Sequence, residues 1–337
     1  MRGLVRAVEA NFYRVVLAEQ APCKELLCVR RARLKKTGQQ ICVGDRVIVE
    51  EPDWQGQRGA IAAVEERRSF LERPPMANLD GVLLVFSLSD PPLDPWQISR
   101  FLVKVEESGL AAVVALSKSD LVAPAVGETW QGRLGGWGYR AYPCSTVTGE
   151  GIAAVQGAIA GGIWVAMGPS RVGKSSLLNA LRPELGLRTG EVSAKLRHGR
   201  HTTRHVELFG VPGGGWLADA PGFLQPTLRF DPADLILGFP EARDRRGQCR
   251  FPNCQHRDEP GCAVRGDWER YEHYTTFLAE ILAQTERASP EIGWKYKTGK
   301  GGIPVAEPLL AVHKYRRSSR RRDRQQVDDE DAGNFLR

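Results

Sequence analysis

The sequence predicts a multi-domain α/β protein, in which an N-terminal OB-fold β-barrel precedes a doubly wound α/β domain and a mostly helical region with a metal site. Three observations support this fold class. Five short alternating runs fill about the first seventy residues, apolar runs alternate with helical patterns in the middle of the chain, and cysteines cluster with a histidine near residue 255. With 337 residues the chain is long enough for two or three domains.

The first predicted domain is the small barrel. Its runs are separated by turn signals such as Gly44-Asp45, and short strands at this spacing are typical of OB-type barrels. The predicted strands cover residues 5–8, 13–17, 25–33, 43–49 and 59–64. Basic residues occur among them, namely Arg30, Arg31, Arg33, Lys35 and Lys36. The barrel either binds an oligonucleotide or only packs against its neighbour, and this stretch alone leaves both alternatives open.

The second predicted domain is a doubly wound sheet. Continuous apolar runs indicate buried strands at residues 81–86, 111–116 and 163–167. Helical patterns follow at residues 95–108 and 175–181. Strand, helix and strand in repetition indicate parallel strands with helices on both faces.

A phosphate-binding loop, the P-loop, joins the third of these strands to its helix. Residues 168–175 match the pattern G-x-x-x-x-G-K-S. Backbone N–H groups of such a loop surround phosphates, Lys174 reaches the β and γ oxygens, and the Ser175 hydroxyl is a ligand of Mg²⁺. The nucleotide contacts expected here are Gly168, Pro169, Ser170, Arg171, Val172, Gly173, Lys174, Ser175 and Ser176.

Two later segments are expected to complete the magnesium and γ-phosphate site. Residues 219–222 have the pattern D-x-P-G, so Asp219 would hold Mg²⁺ through water and the Gly222 N–H would meet the γ-phosphate. A polar connection before this motif contains Thr203, whose hydroxyl would complete the Mg²⁺ shell. We assign Thr203 to the catalytic group together with Lys174.

Two loops predict guanine as the base. Residues 117–120 read Ser-Lys-Ser-Asp after a buried strand, where GTPases carry N/T-K-x-D. Asp120 would accept from N1 and N2 of guanine, and Lys118 would lie over the ring. A turn after the following strand would donate a backbone N–H to O6. The expected base contacts are Ser117, Lys118, Ser119, Asp120 and Ser145.

The order of these loops is unusual. In ordinary GTPases the P-loop comes first, whereas here residues 117–120 and Ser145 precede it. The sequence therefore predicts a circularly permuted P-loop GTPase domain, whose chain leaves the domain just after the switch region, near residue 230. Whatever follows would be coupled to the γ-phosphate sensor.

A cluster of cysteines and one histidine predicts a metal site. Cys249, Cys254, His256 and Cys262 supply three thiolates and one imidazole within fourteen residues. Four such ligands close a tetrahedron, as in structural Zn²⁺ sites, and we expect one Zn²⁺ per chain. The remaining cysteines have no histidine beside them in the sequence and are expected to be core or barrel thiols.

Charge and composition indicate where the protein acts and what kind of partner it binds. Hydrophobic residues make up 42% and charged residues 26% of the chain, and the net charge is +7. Residues 314–324 contain seven basic residues and one acidic residue. Such a block either binds a polyanion such as RNA or stays solvated. The sequence contains no apolar run long enough to span a bilayer and no signal-peptide core at its start. We therefore expect a cytoplasmic protein that does not bind membranes.

Taken together, the sequence resembles the RsgA, or YjeQ, family of permuted GTPases that assemble the small ribosomal subunit. The resemblance rests on the barrel, the permuted motif order, Gly-Arg-His-Thr-Thr at 199–203, the D-x-P-G motif and the spacing C-x₄-C-x-H-x₅-C. It implies an OB-fold, a GTPase domain and a zinc domain that bind 16S rRNA in the 30S subunit. It also implies that the particle stimulates GTP hydrolysis, which is followed by release. The domains expected are the barrel (1–72), the GTPase domain (73–235), the zinc-binding domain (236–290) and a basic extension (291–337).

Several positions depart from the patterns. Ser117 replaces the usual Asn, Arg171 replaces a Gly of the P-loop, and Phe223 stands where Ras-type GTPases have a water-orienting Gln. His201, beside Thr203, is the candidate that positions water instead, although it could also pack or bind rRNA. The alternatives are a P-loop ATPase and a non-catalytic rRNA-binding factor switched by its nucleotide. We expect a monomer that binds GTP, GDP and Mg²⁺.

Overall fold

The computed structural model describes residues 1–17, 21–36, 38–72, 74–185, 206–219, 227–288, 294–298 and 304–308. The chain forms two compact units, residues 1–281 and 282–337. Within the described ranges, no helix has both the length and the apolar character that crossing a membrane requires.

The N-terminal strands close into a barrel, as predicted. Its elements are β1 (Arg2–Glu9), β2 (Phe12–Leu17), β3 (Glu25–Arg30), α1 (Ala32–Lys36), β4 (Arg46–Asp53) and β5 (Arg58–Val64). They close in the order β1-β2-β3-β5-β4, in which only β3 and β5 pair in parallel. Alternate side chains from the five strands fill the interior and are fully buried, among them Val5, Val15, Leu26, Val47 and Ile61.

The predicted third strand was too long, because residues 32–36 form a helix rather than the end of a strand. Ala, Arg, Leu and Lys all have high helix propensity, and Leu34 turns inward to the barrel core at 7% exposure. The predicted fourth strand begins later than expected, at Arg46. The reason is Asp45, whose buried carboxylate accepts from the Cys42 N–H at 2.7 Å and holds this segment as a turn.

A short hairpin connects the barrel to the next domain. It consists of β6 (Phe70–Glu72) and β7 (Pro75–Ala77), which pair antiparallel. Gly44 of the barrel has φ +88°, and a Cβ there would lie 2.0 Å from the Ala77 carbonyl oxygen. The Asn78 side-chain amide donates to the Gly44 carbonyl at 2.9 Å. Only glycine allows so close a contact between the barrel and the residues that lead into the central sheet.

The central domain is a six-stranded sheet in the order β10-β9-β8-β11-β13-β12. All neighbours pair in parallel except the edge strand β12, which runs antiparallel to β13. The strands are β8 (Gly81–Ser87), β9 (Ala111–Ser117), β10 (Arg140–Pro143), β11 (Ile163–Met167), β12 (Leu208–Val211) and β13 (Gly215–Asp219). The helices are α2 (Pro95–Glu107), α3 (Pro124–Gly136), α4 (Ile152–Ala158) and α5 (Lys174–Leu181).

Helices cover both faces of this sheet, as a doubly wound fold requires. On one face, Leu84 and Phe86 of β8 pack with side chains of α2 and α3. On the other face, Leu83 and Val85 pack with side chains of α4 and α5. Burial on both faces explains why β8 is a continuous apolar run without alternation.

The remaining elements follow the sheet in the chain. A short helix α6 (Pro240–Arg243) and a long helix α7 (Tyr271–Ala288) flank the cysteine-rich segment. Residues of the second unit form an antiparallel hairpin of β14 (Trp294–Thr298) and β15 (Pro304–Pro308). The basic block 314–324 lies outside the described residues.

Candidate nucleotide site and metal centre

The P-loop leaves β11 and enters α5 with the geometry of a phosphate cradle. Gly168 has φ +147°, and a Cβ there would lie 2.1 Å from the Val85 carbonyl oxygen. Gly173, immediately before α5, has φ +93°. Both glycines are therefore required for the path of the loop. Lys174 Nζ donates to the carbonyls of Gly168 at 3.1 Å and Pro169 at 2.6 Å, so this ammonium lies within the loop.

Arg171 occupies a strained position in the same loop. Its φ is +67°, a conformation that costs a side chain with a Cβ about 1–2 kcal/mol relative to glycine. Lys118 holds this backbone, because its Nζ donates to the Arg171 carbonyl at 3.1 Å and also to the Asp90 carbonyl. The base loop (residues 117–120), the P-loop and the loop after β8 are thus joined by one lysine.

Ser117 bonds directly to the P-loop. Its hydroxyl lies 2.5 Å from the Val172 carbonyl oxygen and 3.1 Å from that of Phe86, and the residue is 3% exposed. The serine side chain is shorter than that of the asparagine it replaces. The contact is nevertheless short, because the end of β9 lies so near the P-loop that a Cβ on Gly173 would be 3.8 Å from the Ser117 hydroxyl oxygen.

The two predicted base-binding segments meet beside the P-loop. The Ser119 N–H donates to the Cys144 carbonyl at 3.2 Å, which joins the base loop to the turn after β10. The Ser145 hydroxyl accepts from the N–H groups of Val147 and Thr148, both at 3.1 Å, and fixes that turn. Asp120 is exposed, and no partner of its carboxylate is recorded among the described residues. A solvated carboxylate beside these loops can accept hydrogen bonds from an entering base.

The D-x-P-G motif begins at the same edge of the sheet. Asp219 ends β13 and pairs in register with Ala166 of β11, two residues before the P-loop starts. The position of its backbone is therefore compatible with the predicted magnesium site, although the description does not extend to its side chain. His201, Thr203, Gly222 and Phe223 lie outside the described residues.

The four predicted metal ligands form one cluster. The ligand atoms of Cys249, Cys254, His256 and Cys262 all lie within 4.8 Å of one another. His256 Nδ1 is 3.5 Å from the sulfurs of Cys249 and Cys262, which are 4.0 Å apart. Tetrahedral Zn²⁺ with bonds of about 2.3 Å to sulfur and 2.0 Å to nitrogen gives edges of about 3.5–3.8 Å. The cluster has the size and donor set of a site that can hold a metal ion.

Neighbouring groups fix the cluster. The Tyr271 hydroxyl donates to the His256 carbonyl at 2.8 Å, and the Tyr274 hydroxyl donates to the Gln255 carbonyl at 2.8 Å. His256 has φ +59°, which directs its ring into the cluster. Burial raises the pKa of the Cys254 thiol to about 12, whereas a bound cation would favour its thiolate. Second contacts of this kind orient ligands for a metal.

A buried arginine lies between the cysteine-rich region and the end of helix α3 in the central domain. Arg270 is fully buried, and its guanidinium forms a bidentate pair with Glu241 at 2.6 and 2.5 Å. The guanidinium carbon lies 4.8 Å from the ring centroids of both Trp137 and Phe239. Nearby, Arg100 of α2 binds both carboxylate oxygens of Glu280 at 2.6 and 2.7 Å. These contacts were not predicted, since nothing in the local sequence around Arg270 distinguishes it from a surface arginine.

Residues 64–229 match the family model described as RsgA GTPase. The chain is 51% identical to the small ribosomal subunit biogenesis GTPase RsgA 1 of Nostoc, over 97% of this chain and 96% of that protein. It is 39% identical to the mitochondrial RsgA 1 of Arabidopsis thaliana, over 99% and 89% of the two chains.

Two solved structures resemble the fold. The crystal structure of YjeQ from Thermotoga maritima superposes with a TM-score of 0.71 at 32% identity, over 83% of this chain and 98% of that one. YloQ, described as a circularly permuted GTPase, gives 0.69 at 30% identity, over 84% and 95%. The similarity to the Nostoc protein, over 97% of this chain, extends across the barrel, the sheet and the cysteine cluster.

Proposed function

The chain belongs to the RsgA family of GTPases, and from this premise we propose that it hydrolyses GTP to GDP and phosphate on the 30S ribosomal subunit during late assembly. The observation that carries the proposal is the meeting of the base loop and the P-loop at one edge of the sheet. Ser117 and Lys118 both bond to P-loop carbonyls, and Asp120 remains exposed for a base. The relatives' names supply the small subunit as the partner.

Different residues of the site bind the base, the phosphates and Mg²⁺. The carboxylate of Asp120 selects guanine, while the turn at Ser145 donates to its O6. The P-loop amides and Lys174 hold the phosphates, and Lys174 exchanges the carbonyls it now contacts for phosphate oxygens. Mg²⁺ supplies charge neutralisation of the β- and γ-oxygens when bound, with Ser175, Thr203 and Asp219 as its expected protein partners.

His201 is proposed to position the attacking water, since Phe223 has no polar group for that purpose. Replacing His201 by alanine is expected to preserve GTP binding and association with the 30S subunit but to lose subunit-stimulated hydrolysis by about 10²-fold or more. If the variant lost binding to the subunit and turnover equally, His201 would be an rRNA contact. Full stimulated turnover would remove it from the mechanism.

The metal cluster is proposed to hold one structural Zn²⁺. Its four donors leave no open position for substrate, and the tyrosine contacts behind it hold the chain around the ligands. The proposed domains are residues 1–72, 73–235, 236–290 and 291–337. We further propose that the protein acts as a cytoplasmic monomer, that the barrel and the metal region bind 16S rRNA, and that the block 314–324 contacts rRNA phosphates.

Sedimentation with purified 30S subunits tests the proposed partner. The protein should pellet with the subunit in the presence of a non-hydrolysable GTP analogue and stay largely in the supernatant with GDP. With an ATP analogue, the amount of protein that pellets should equal the amount that pellets without any nucleotide. Equal pelleting in all nucleotide states, or none in any, would contradict a GTP-dependent function on this particle.

A further inference from the structure

Arg171 lies between the two glycines of the P-loop and keeps a backbone conformation that favours glycine. Its φ is +67°, which a glycine would adopt without strain. The turn itself therefore does not require an arginine. Strain retained at a ligand-binding loop is a reason to look for function in the side chain that causes it.

The guanidinium of Arg171 is only loosely held. Among the described residues its side-chain partner is the Asp90 carboxylate, with 3.6 Å between Nη2 and Oδ2, and the two side chains are 82% and 69% exposed. Charge-assisted hydrogen bonds are normally about 2.7–2.9 Å long, and exposed ion pairs contribute little. A phosphate entering the loop can therefore displace Asp90 from this arginine.

The backbone of Arg171, in contrast, is anchored. Lys118 Nζ donates to its carbonyl at 3.1 Å and to the carbonyl of Asp90. One lysine thus holds the backbone carbonyls of both members of the ion pair. The guanidinium can turn from Asp90 towards the phosphates while its point of attachment stays in place.

Resting on the proposed GTPase function, we propose that Arg171 is a catalytic residue that binds the β- and γ-phosphate oxygens of GTP. Lys174 supplies a point charge from within the loop, whereas the planar guanidinium of Arg171 offers paired N–H donors. Two such donors match two phosphate oxygens. Arg171 thereby supplies from within the chain the charge that a separate arginine supplies in other GTPases.

In the reaction, the oxygen of water forms a bond to the γ-phosphorus. The bond from that phosphorus to the β–γ bridging oxygen breaks, and its electron pair stays on GDP. One proton of the attacking water stays on its oxygen, which becomes part of inorganic phosphate, and the other passes to another oxygen of that phosphate. Arg171 neither gains nor loses a proton, and it stabilises the negative charge that grows on the bridging oxygen.

The test compares variants in single-turnover GTP hydrolysis without ribosomal subunits. Arg171→Gly removes the guanidinium and suits the positive φ, and Arg171→Asn, which also tolerates that φ, controls for the added freedom of glycine. Arg140→Ala is the control variant. It removes the same charge from an exposed residue at the start of strand β10, whereas the nucleotide loops follow the ends of the parallel strands. The affinities for GDP and for GDP with aluminium fluoride are measured on each variant.

We expect both Arg171 variants to lose about tenfold or more in rate and in affinity for GDP–aluminium fluoride, with GDP affinity changed less than about threefold. Arg171→Lys should recover part of the loss, and Arg140→Ala should match the wild type. Wild-type rates in both Arg171 variants, or equal losses of affinity for GDP and for GDP–aluminium fluoride, would overturn the role of Arg171 but not the proposed GTPase function. A wild type that never hydrolyses GTP would overturn the proposed function as well.

Discussion

Replacing Ser117 by alanine tests whether the base loop and the P-loop act as one nucleotide site. The hydroxyl lies 2.5 Å from the Val172 carbonyl oxygen, in a position that is 3% exposed. Alanine removes the donor to a buried carbonyl, a loss that costs about 1–3 kcal/mol. If all of this free energy appears in binding, the affinity for GTP and GDP falls by about 5- to 150-fold.

Both nucleotide affinity and thermal stability are measured, because the lost free energy divides between binding and folding. Ser87→Ala is the matched control. Ser87 is also buried, at the end of β8, and the partner of its hydroxyl among the described residues is the nearby Ser89 N–H, which donates to it at 3.1 Å within the same loop. We expect Ser117→Ala to weaken both nucleotides much more than the control does. An affinity within about twofold of the wild type, with unchanged stability, would refute a coupling of the two loops through this hydroxyl.

Three further predictions concern separate parts of the chain. Asp120→Asn should lower affinity for GTP and raise it for xanthosine triphosphate, because the amide donates where the carboxylate accepted; an unchanged preference in competition binding would contradict the assignment. Elemental analysis should find about one zinc per chain, and Cys254→Ser should lose the zinc and loosen the metal region while nucleotide binding stays largely intact. Deleting the chain from residue 314 onward should flatten the salt dependence of 30S binding by about six in log–log slope if its charges contact phosphates; identical slopes would indicate a solvated extension.

The sequence predicted the strands of the barrel and the central strands of the sheet because their patterns are local. The strand at 163–167 and the helix that follows the P-loop come from a continuous apolar run and a glycine pattern. The helix at 32–36 was missed because alternation in β3 continues into residues with high helix propensity. The helix is favoured there because it buries Leu34 in the barrel core.

The contacts that assemble the site could not be predicted, since they join residues far apart in the chain. Lys118 reaches carbonyls 28 and 53 residues away, and the Ser117 hydroxyl reaches one 55 residues away. Their spacing depends on the strand order of the permuted sheet, which no single segment specifies. Motifs identified the participants, and the fold determines which of them touch.

We propose that this chain is a GTPase whose reaction is stimulated by the small ribosomal subunit. The most direct test is the rate of GTP hydrolysis by the purified protein, measured alone and with purified 30S subunits, with 50S subunits as the control. We expect slow turnover by the protein alone, a large increase with 30S subunits, none with 50S subunits, and no comparable stimulation of ATP hydrolysis. A rate that is the same with and without 30S subunits would contradict this proposal.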